Sequence, residues 1–250
     1  MSENKTDVII VGAGPAGAAA GITLARAGRK VVILERGNFA GSKNMFGGTV
    51  YEYPTCNLYP YYLEEAPIER FNTEYRYLIT DDKTSVSVNY KKQNNSKSFT
   101  VIRSKWDEWC IEKAVETGAY FCPKTTVREL IQVNGKVIGI KTDKEEFFAD
   151  IVILADGVNS LLAKQIGLRK DFRDSQMAIG VKEVLKLPKE VIEARFNLED
   201  KTGCVTEIVG YPMKGITGLG FIYTNLDSVS IGLGVTLDDL KNNKITPNDL

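Results

Sequence analysis

The glycines Gly12, Gly14 and Gly17 stand in the run Gly12-Ala13-Gly14-Pro15-Ala16-Gly17. The first glycine of such a run allows a tight turn out of a strand. The second lets the backbone approach a pyrophosphate, and the third lets a helix pack closely on that strand. Pro15 and Ala16 open the helix, whose first amides carry a partial positive charge and suit phosphate oxygens. Glu35 follows the run at the distance, about twenty residues, where ribose hydroxyls are held in dinucleotide sites. Two charge-assisted hydrogen bonds there would contribute about 1.5–3 kcal/mol each. A carboxylate would repel a 2′-phosphate, an objection that the neighbouring Arg36 softens. These residues indicate a dinucleotide and leave NAD and FAD both open.

The rest of the composition narrows the chemistry by exclusion. The 250 residues contain no histidine, which removes Ser-His-Asp and Cys-His nucleophilic machinery and every His-based metal site. The four cysteines, Cys56, Cys110, Cys122 and Cys204, are nowhere spaced as CxxC, so neither a zinc ribbon nor an iron–sulfur cluster can be read. They are expected to be small buried residues in a reduced, cytoplasmic compartment. Lysines plus arginines number 32, as do aspartates plus glutamates, and a neutral chain without basic runs argues against nucleic acid as a partner. No side chain is assigned as catalytic and none as a metal ligand; the difficult chemistry falls to a cofactor.

The elements that must position these residues are legible from pattern. Val8 to Ala25 is free of charge, yet the glycine run inside it reads as a buried strand followed by a buried helix rather than a membrane span. Asp7 to Val11 and Val31 to Glu35 read as strands around a helix from Ala16 to Ala27, a β-α-β unit with parallel strands. Gly37 to Gly48 reads as a glycine-rich loop and Tyr51 to Tyr62 as irregular. A hairpin is expected over Glu74 to Lys92 with its turn at Asp81-Asp82-Lys83, then a polar loop over Gln93 to Ser98. Phe99 to Arg103 reads as a strand, followed by a helix capped by Ser104 with Asp107 completing the cap. Thr125 to Val133, Lys136 to Thr142 and Glu145 to Ala149 read as a β-meander with a turn at Asn134-Gly135. Ile151 to Leu154 reads as a separate strand and Asn159 to Ile166 as a short helix. From Gln176 onward the pattern is that of an antiparallel sheet.

Four further segments carry a family resemblance. Asp156-Gly157-Val158-Asn159-Ser160 resembles the DGxxS motif of FAD enzymes related to flavin hydroxylases, geranylgeranyl reductases and electron transfer flavoprotein–quinone oxidoreductases. Gly41-Ser42-Lys43-Asn44-Met45-Phe46-Gly47-Gly48 resembles the GxKNxxGG loop of the FixC-like branch of the last group. The segments Lys186 to Phe196 and Gly220 to Gly232 resemble its middle and later parts, so the likeness runs along essentially the whole chain. The resemblance implies FAD. It implies that Asp156, Gly157 and Arg103 hold the phosphate and ribityl region, that backbone at Val127 holds adenine, and that Lys43, Asn44, Gly47 and Gly48 line the flavin.

The expected fold class is α/β: a Rossmann-type FAD-binding domain with a β-meander (1–50 and 100–175), interleaved with an antiparallel-sheet substrate or partner domain (51–99 and 176–250). The superfamily's late Gly-Asp motif does not occur before Leu250, and Thr246-Pro247-Asn248-Asp249 reads as a helix start, so an N-terminal fragment is expected. The resemblance implies an oxidoreductase that passes electrons from an electron transfer flavoprotein towards quinone or a ferredoxin-like partner, with peripheral contact on the inner face of the membrane. Two alternatives remain open at this point: a reductase-like or hydroxylase-like flavoenzyme acting on a prenyl or small substrate, and a non-catalytic FAD-binding fragment.

Overall fold

The β-branched run Val8-Ile9-Ile10-Val11 is buried along its whole length, as a strand covered on both faces requires. It anchors a computed structural model that describes residues 5–45, 48–92 and 97–249. In chain order the elements are β1 (Lys5–Val11), α1 (Pro15–Arg26), β2 (Val31–Leu34), β3 (Thr49–Tyr51), α2 (Glu52–Leu58), α3 (Tyr62–Glu65), β4 (Ile68–Thr80), β5 (Ser85–Lys91), β6 (Ser98–Val101) and α4 (Arg103–Glu116). There follow β7 (Tyr120–Cys122), β8 (Val127–Val133), β9 (Lys136–Thr142), β10 (Glu146–Leu154), α5 (Leu161–Gln165), β11 (Ala178–Lys186), α6 (Lys189–Phe196), β12 (Thr202–Gly210), β13 (Gly218–Thr224), β14 (Ser228–Thr236) and α7 (Leu237–Asn242). The chain divides into two compact units: Met1–Met45 with Leu58–Pro67 and Arg103–Asp171, and Phe46–Asn57 with Ile68–Ile102 and Phe172–Leu250. Residues 58–67, expected in the second domain, thus fall in the first unit.

The first unit is built on a sheet in the order β7-β2-β1-β10-β9-β8. Strands β7, β2, β1 and β10 are parallel, and β10, β9 and β8 form the antiparallel meander. The meander's third strand and the strand before Asp156 were expected to be separate. They are one strand, β10, whose start pairs with β9 and whose end pairs with β1. Asp150, which reads as a break, stays exposed and forms an ion pair with Lys5, so its charge is solvated without interrupting the ladder. On one side α1 buries Gly17, Ala18, Gly21 and Ile22. A Cβ on Gly21 would lie 2.5 Å from the Ile33 side chain. Gly28 ends the helix at φ +74°, while Arg29 N donates to Leu24 O, a glycine-terminated cap.

Helix α4 begins at Arg103, so Ser104 lies inside it rather than capping it. It buries Trp106, Trp109, Cys110, Ile111 and Ala114, with the Tyr59 ring against Trp109 at 4.8 Å. Tyr59 comes from the stretch read as irregular, where α2 and α3 in fact form. The interruption of α2 at Tyr53 follows from the Pro54 beside it, which bars the residue before it from the helical region. Burial pushes the Cys110 thiol up to about 12, a hydrogen bond with Tyr59 offsetting part of the rise.

The second unit holds a sheet in the order β11-β14-β13-β12-β4-β6-β3, with β5 paired to β4. The expected β4–β5 hairpin forms, with Tyr77 opposite Val88 and Ile79 opposite Val86. Asp81 closes its turn by accepting from the amides of Lys83 and Thr84, which hold its carboxyl below the ordinary carboxylate value. The sheet is not wholly antiparallel: β12 runs parallel to β4. The two are remote in sequence, so no tight hairpin dictates their direction. Beside them lies Arg70, fully buried. Its guanidinium donates to the carbonyls of Asn225 (2.7 Å), Asp200 (2.7 Å), Thr202 (3.0 Å) and Leu226 (3.4 Å), and meets Glu193 at 3.4 Å. One side chain thus satisfies carbonyls of the β13–β14 turn and of the chain entering β12.

Among the described residues no helix is long and apolar enough to cross a membrane, and none of their His, Cys, Asp and Glu side chains form a metal-holding group.

Arg70→Leu should cost on the order of 3–5 kcal/mol, because it strands several buried carbonyls and leaves Glu193 with Lys189 alone as its ion-pair partner. Urea unfolding checks this; a midpoint equal to that of the parent would contradict it. Cys110 should contribute stability that is complete below the ordinary thiol value of 9.0 and lost as pH rises from there towards about 12, since only the unfolded thiol then ionises readily. Comparing the stability–pH curve of Cys110→Ala with the parent tests it: the decline above pH 9 should be steeper in the parent, the variant keeping only the part that Cys122, Cys204 and Tyr59 contribute.

Candidate functional site

Strands β1, β2 and β10 end side by side, and their ends are tied together by the backbone. Gly12 N donates to Leu34 O at 2.8 Å and Ala155 N to Val11 O at 2.8 Å. The crevice outside the carboxyl ends of parallel strands is where α/β sheets bind ligands. A cavity of about 470 Å³ opens there, lined wholly by residues of the first unit.

The glycine run shapes one wall. Gly12 has φ +104°, and a Cβ on it would fall 2.3 Å from Ala155 O. Gly17 is packed still more tightly, its Cβ position lying 1.9 Å from Gly12 O. Gly14 differs: nothing lies within 4 Å of its Cβ position. No protein atom therefore requires glycine there, and the bare backbone faces open space. Gly14 is also the N-cap of α1, with no side chain bonded across the helix end and Pro15 at its first turn. A helix N-terminus in this state presents amides and a partial positive charge to an anion.

Gly12, Gly14, Pro15, Ala16, Glu35, Arg36, Lys43, Asn44, Arg103, Val127, Asp156 and Gly157 all line the cavity. They come from segments far apart in sequence. Gly17 does not line it; it lies behind the turn and lets α1 seat. Gly48 does not line it either. It belongs to the second unit, where a Cβ would meet the Tyr223 hydroxyl at 2.2 Å and its carbonyl accepts from Val101 N at 2.7 Å. Gly47 lies outside the described residues.

Glu35 has a second task that the spacing did not reveal. Its carboxylate accepts from Ala13 N at 3.0 Å and from Gly37 N at 2.6 Å, so it braces the glycine turn against the end of β2. Asp156 accepts from Leu162 N at 3.4 Å, near the start of α5, which begins two residues later than expected. Ser160 holds the intervening turn by donating to Gly157 O at 2.7 Å. Arg103 is bound edge-on by Asp107, Nε to Oδ1 and Nη2 to Oδ2, both at 2.9 Å. Asp107, read from sequence as part of a helix cap, is instead fully buried and also accepts from the Asn44 amide at 2.5 Å.

Pattern reading missed Thr125, Thr126, Arg128 and Gln165, which also line the cavity. Thr125 and Thr126 are brought to the end of β2 by Thr125 N donating to Glu35 O at 2.8 Å and Lys124 N to Gly37 O at 2.9 Å, and Gln165 of α5 donates to Arg128 O at 3.1 Å. No local motif marks them; a non-local backbone contact brings them there. The ionisable lining consists of Arg36, Lys43, Arg103 and Arg128 against Glu35 and Asp156. The excess is positive, with Arg103 backed by Asp107 and Arg128 by Asp143.

The FAD dependent oxidoreductase family model matches residues 7–164. Protein FixC of Azorhizobium caulinodans is 43% identical over 99% of this chain. Protein FixC of Salmonella typhi is 42% identical over 98% of it. The chain spans 58% of the length of each. Among solved structures, a geranylgeranyl bacteriochlorophyll reductase-like protein from Thermoplasma acidophilum superposes with a TM-score of 0.78 at 21% identity, covering 96% of this chain and 60% of that one. CtdE in complex with FAD superposes with a TM-score of 0.67 at 16% identity, covering 93% of this chain and 59% of that one. The last two show the fold. The expected Rossmann-type α/β class stands, and FAD is the cofactor of the family. The cavity fits an adenine dinucleotide on its own geometry: open space over Gly14 and Gly157, an uncapped helix start and a positive excess opposite it.

Gly17→Ala should displace the turn and lower the thermal unfolding midpoint by several degrees, while Gly14→Ala, with open space at its Cβ, should leave it within about one degree. Thermal melts of the two variants without added cofactor check the contrast; equal losses would contradict it.

Proposed function

Because the chain belongs to the FAD-dependent oxidoreductase family, we propose that the cavity of its first unit holds FAD by the ADP half. The open cradle at Gly14, in front of the uncapped start of α1, carries this reading. Amides of Gly14, Ala16 and their neighbours would meet the pyrophosphate. Glu35 would accept from the adenosine ribose with lone pairs left over after its two backbone donors, beside Arg36. Backbone at Val127 would face adenine. Arg103, Asp156 and Gly157 would hold the phosphate and ribityl region, and Lys43 and Asn44 the approach to the flavin, with Gly47 and Gly48 continuing the same loop.

When bound, the flavin supplies electron acceptance and release in steps of one or two electrons. The side chains bind, orient and tune; the reading requires no protein acid or base. Similarity to FixC proteins along nearly the whole chain supports an electron-transfer role in the complete protein. In it electrons pass from an electron transfer flavoprotein towards quinone or a ferredoxin-like partner, at a cytoplasmic position in peripheral contact with the inner face of the membrane. The sheet-rich second unit is the candidate substrate or partner domain.

The protein should turn yellow on addition of FAD and quench its fluorescence at one FAD per chain. Gly14→Ala should weaken binding by about tenfold or more, as expected for loss of charge-assisted backbone contacts. Mixed anaerobically with reduced electron transfer flavoprotein, the FAD-loaded protein should lose its visible flavin absorbance and regain it on adding a quinone. A protein that is colourless once unbound FAD has been removed by gel filtration would sink the cofactor assignment. One that binds FAD but takes no electrons from the flavoprotein, and instead saturates a prenyl double bond, would replace electron transfer with substrate reduction.

A further inference from the structure

Asp107 touches neither the cavity nor solvent, yet the cavity wall is organised around it. Its side chain is fully buried. Burying a carboxylate is costly unless donors surround it. Here Arg103 supplies two, Nε and Nη2 at 2.9 Å each, and Asn44 Nδ2 supplies a third at 2.5 Å. Arg103 and Asn44 both line the cavity. They belong to different segments, one the first residue of α4 and the other in the loop that follows β2.

The loop reaches the helix by a second contact at the same carboxylate. Gly41 has φ +83°, and a Cβ on it would lie 2.7 Å from Asp107 Cβ and 2.9 Å from Arg103 O. A side chain at position 41 would push the loop off the helix. Between Gly41 and Asn44 the backbone closes a turn, Asn44 N donating to Gly41 O at 2.9 Å. Lys43 rides on that turn and lines the cavity as well. One buried carboxylate therefore sets the orientation of a guanidinium, a carboxamide and the turn that carries an ammonium.

We propose that Asp107 is the positioning residue of this wall, clamping the Gly41–Asn44 turn to the start of α4 so that Arg103, Lys43 and Asn44 meet the cofactor in fixed places. The consequence for binding rests on the FAD reading given above; the clamp does not. The chemistry predicts a specific defect and a specific repair. Asp107→Asn keeps the volume but turns one acceptor into a donor, which then faces either the Asn44 amide or the Arg103 guanidinium. Adding Asn44→Asp restores an acceptor opposite the new donor and returns the lost negative charge to the same cluster.

Hydrogen exchange over residues 37–45 in the FAD-free protein tests the clamp, and FAD titration of the same samples tests its consequence. Asp107→Asn should speed exchange of the turn amides by about tenfold and weaken FAD by about tenfold, the scale of one charge-assisted hydrogen bond. Asn44→Ala, which spares the ion pair, should loosen the turn while leaving exchange in the sheet unchanged. The double variant Asp107→Asn with Asn44→Asp should recover most of both losses. The proposal is overturned if exchange at the turn does not rise in Asp107→Asn and Asn44→Ala. It is equally overturned if the double variant is no better than Asp107→Asn alone, which is the behaviour of a carboxylate that only stabilises the fold. Failure of the parent to bind FAD would overturn the cofactor reading, and the exchange data would still decide the clamp.

Discussion

The cavity exists because two stretches of backbone approach more closely than any side chain would permit. The carbonyl of Gly12 lies 1.9 Å from where a Cβ of Gly17 would stand, and the Cβ position of Gly12 is itself 2.3 Å from the carbonyl of Ala155. These contacts seat α1 directly over the ends of β1 and β10. The helix start then faces the crevice, where its unbonded amides and the end of its dipole act on whatever binds. Glu35 reinforces the same arrangement from the side by accepting from Ala13 and Gly37 amides. The carboxylate whose position suggests ribose recognition also holds the phosphate-facing turn in shape.

Charged groups lining the cavity are handled in two ways: Arg36 and Lys43 stay exposed, while Arg103 and Arg128 are paired. Arg103 is held by a carboxylate that is itself withdrawn from water, while Arg128 is paired at the surface with Asp143. The first pair is the more consequential, because in low dielectric both orientation and charge are set by few contacts. In the second unit a buried guanidinium serves a different end. Arg70 collects the carbonyls of Asp200, Thr202, Asn225 and Leu226, tying the start of β12 to the β13–β14 turn.

Much of this was legible beforehand where local physics is decisive. Short β-branched runs bounded by glycine turns announced β1, β2 and their crossover helix, and alternation with an Asp-rich turn announced the β4–β5 hairpin. Misreadings fell where a charge or a small polar residue had two local uses. Asp150 lay between two expected strands but is solvated on a continuous one, and Asp107 looked like part of a cap but is buried four residues after a helix start that precedes Ser104. The parallel pairing of β12 with β4 has no local signature, since the chain between the two strands includes the first unit's whole Arg103–Asp171 stretch.

By itself the sequence determined the dinucleotide turn, the acid after the second strand and the absence of histidine, because each depends on residue type at short spacing. Its further motifs pointed to FAD through likeness to known enzymes. Tertiary structure alone decided which residues face the cavity. It brought Thr125 to Arg128 beside β2, moved Gly17 behind the wall and placed Gly48 against Tyr223. It also made Asp107 the hub of Arg103 and Asn44. The physical reason is common to all of these: where a side chain points, and what it meets, is set by packing between segments remote in the chain, and no pattern within one segment encodes its partner.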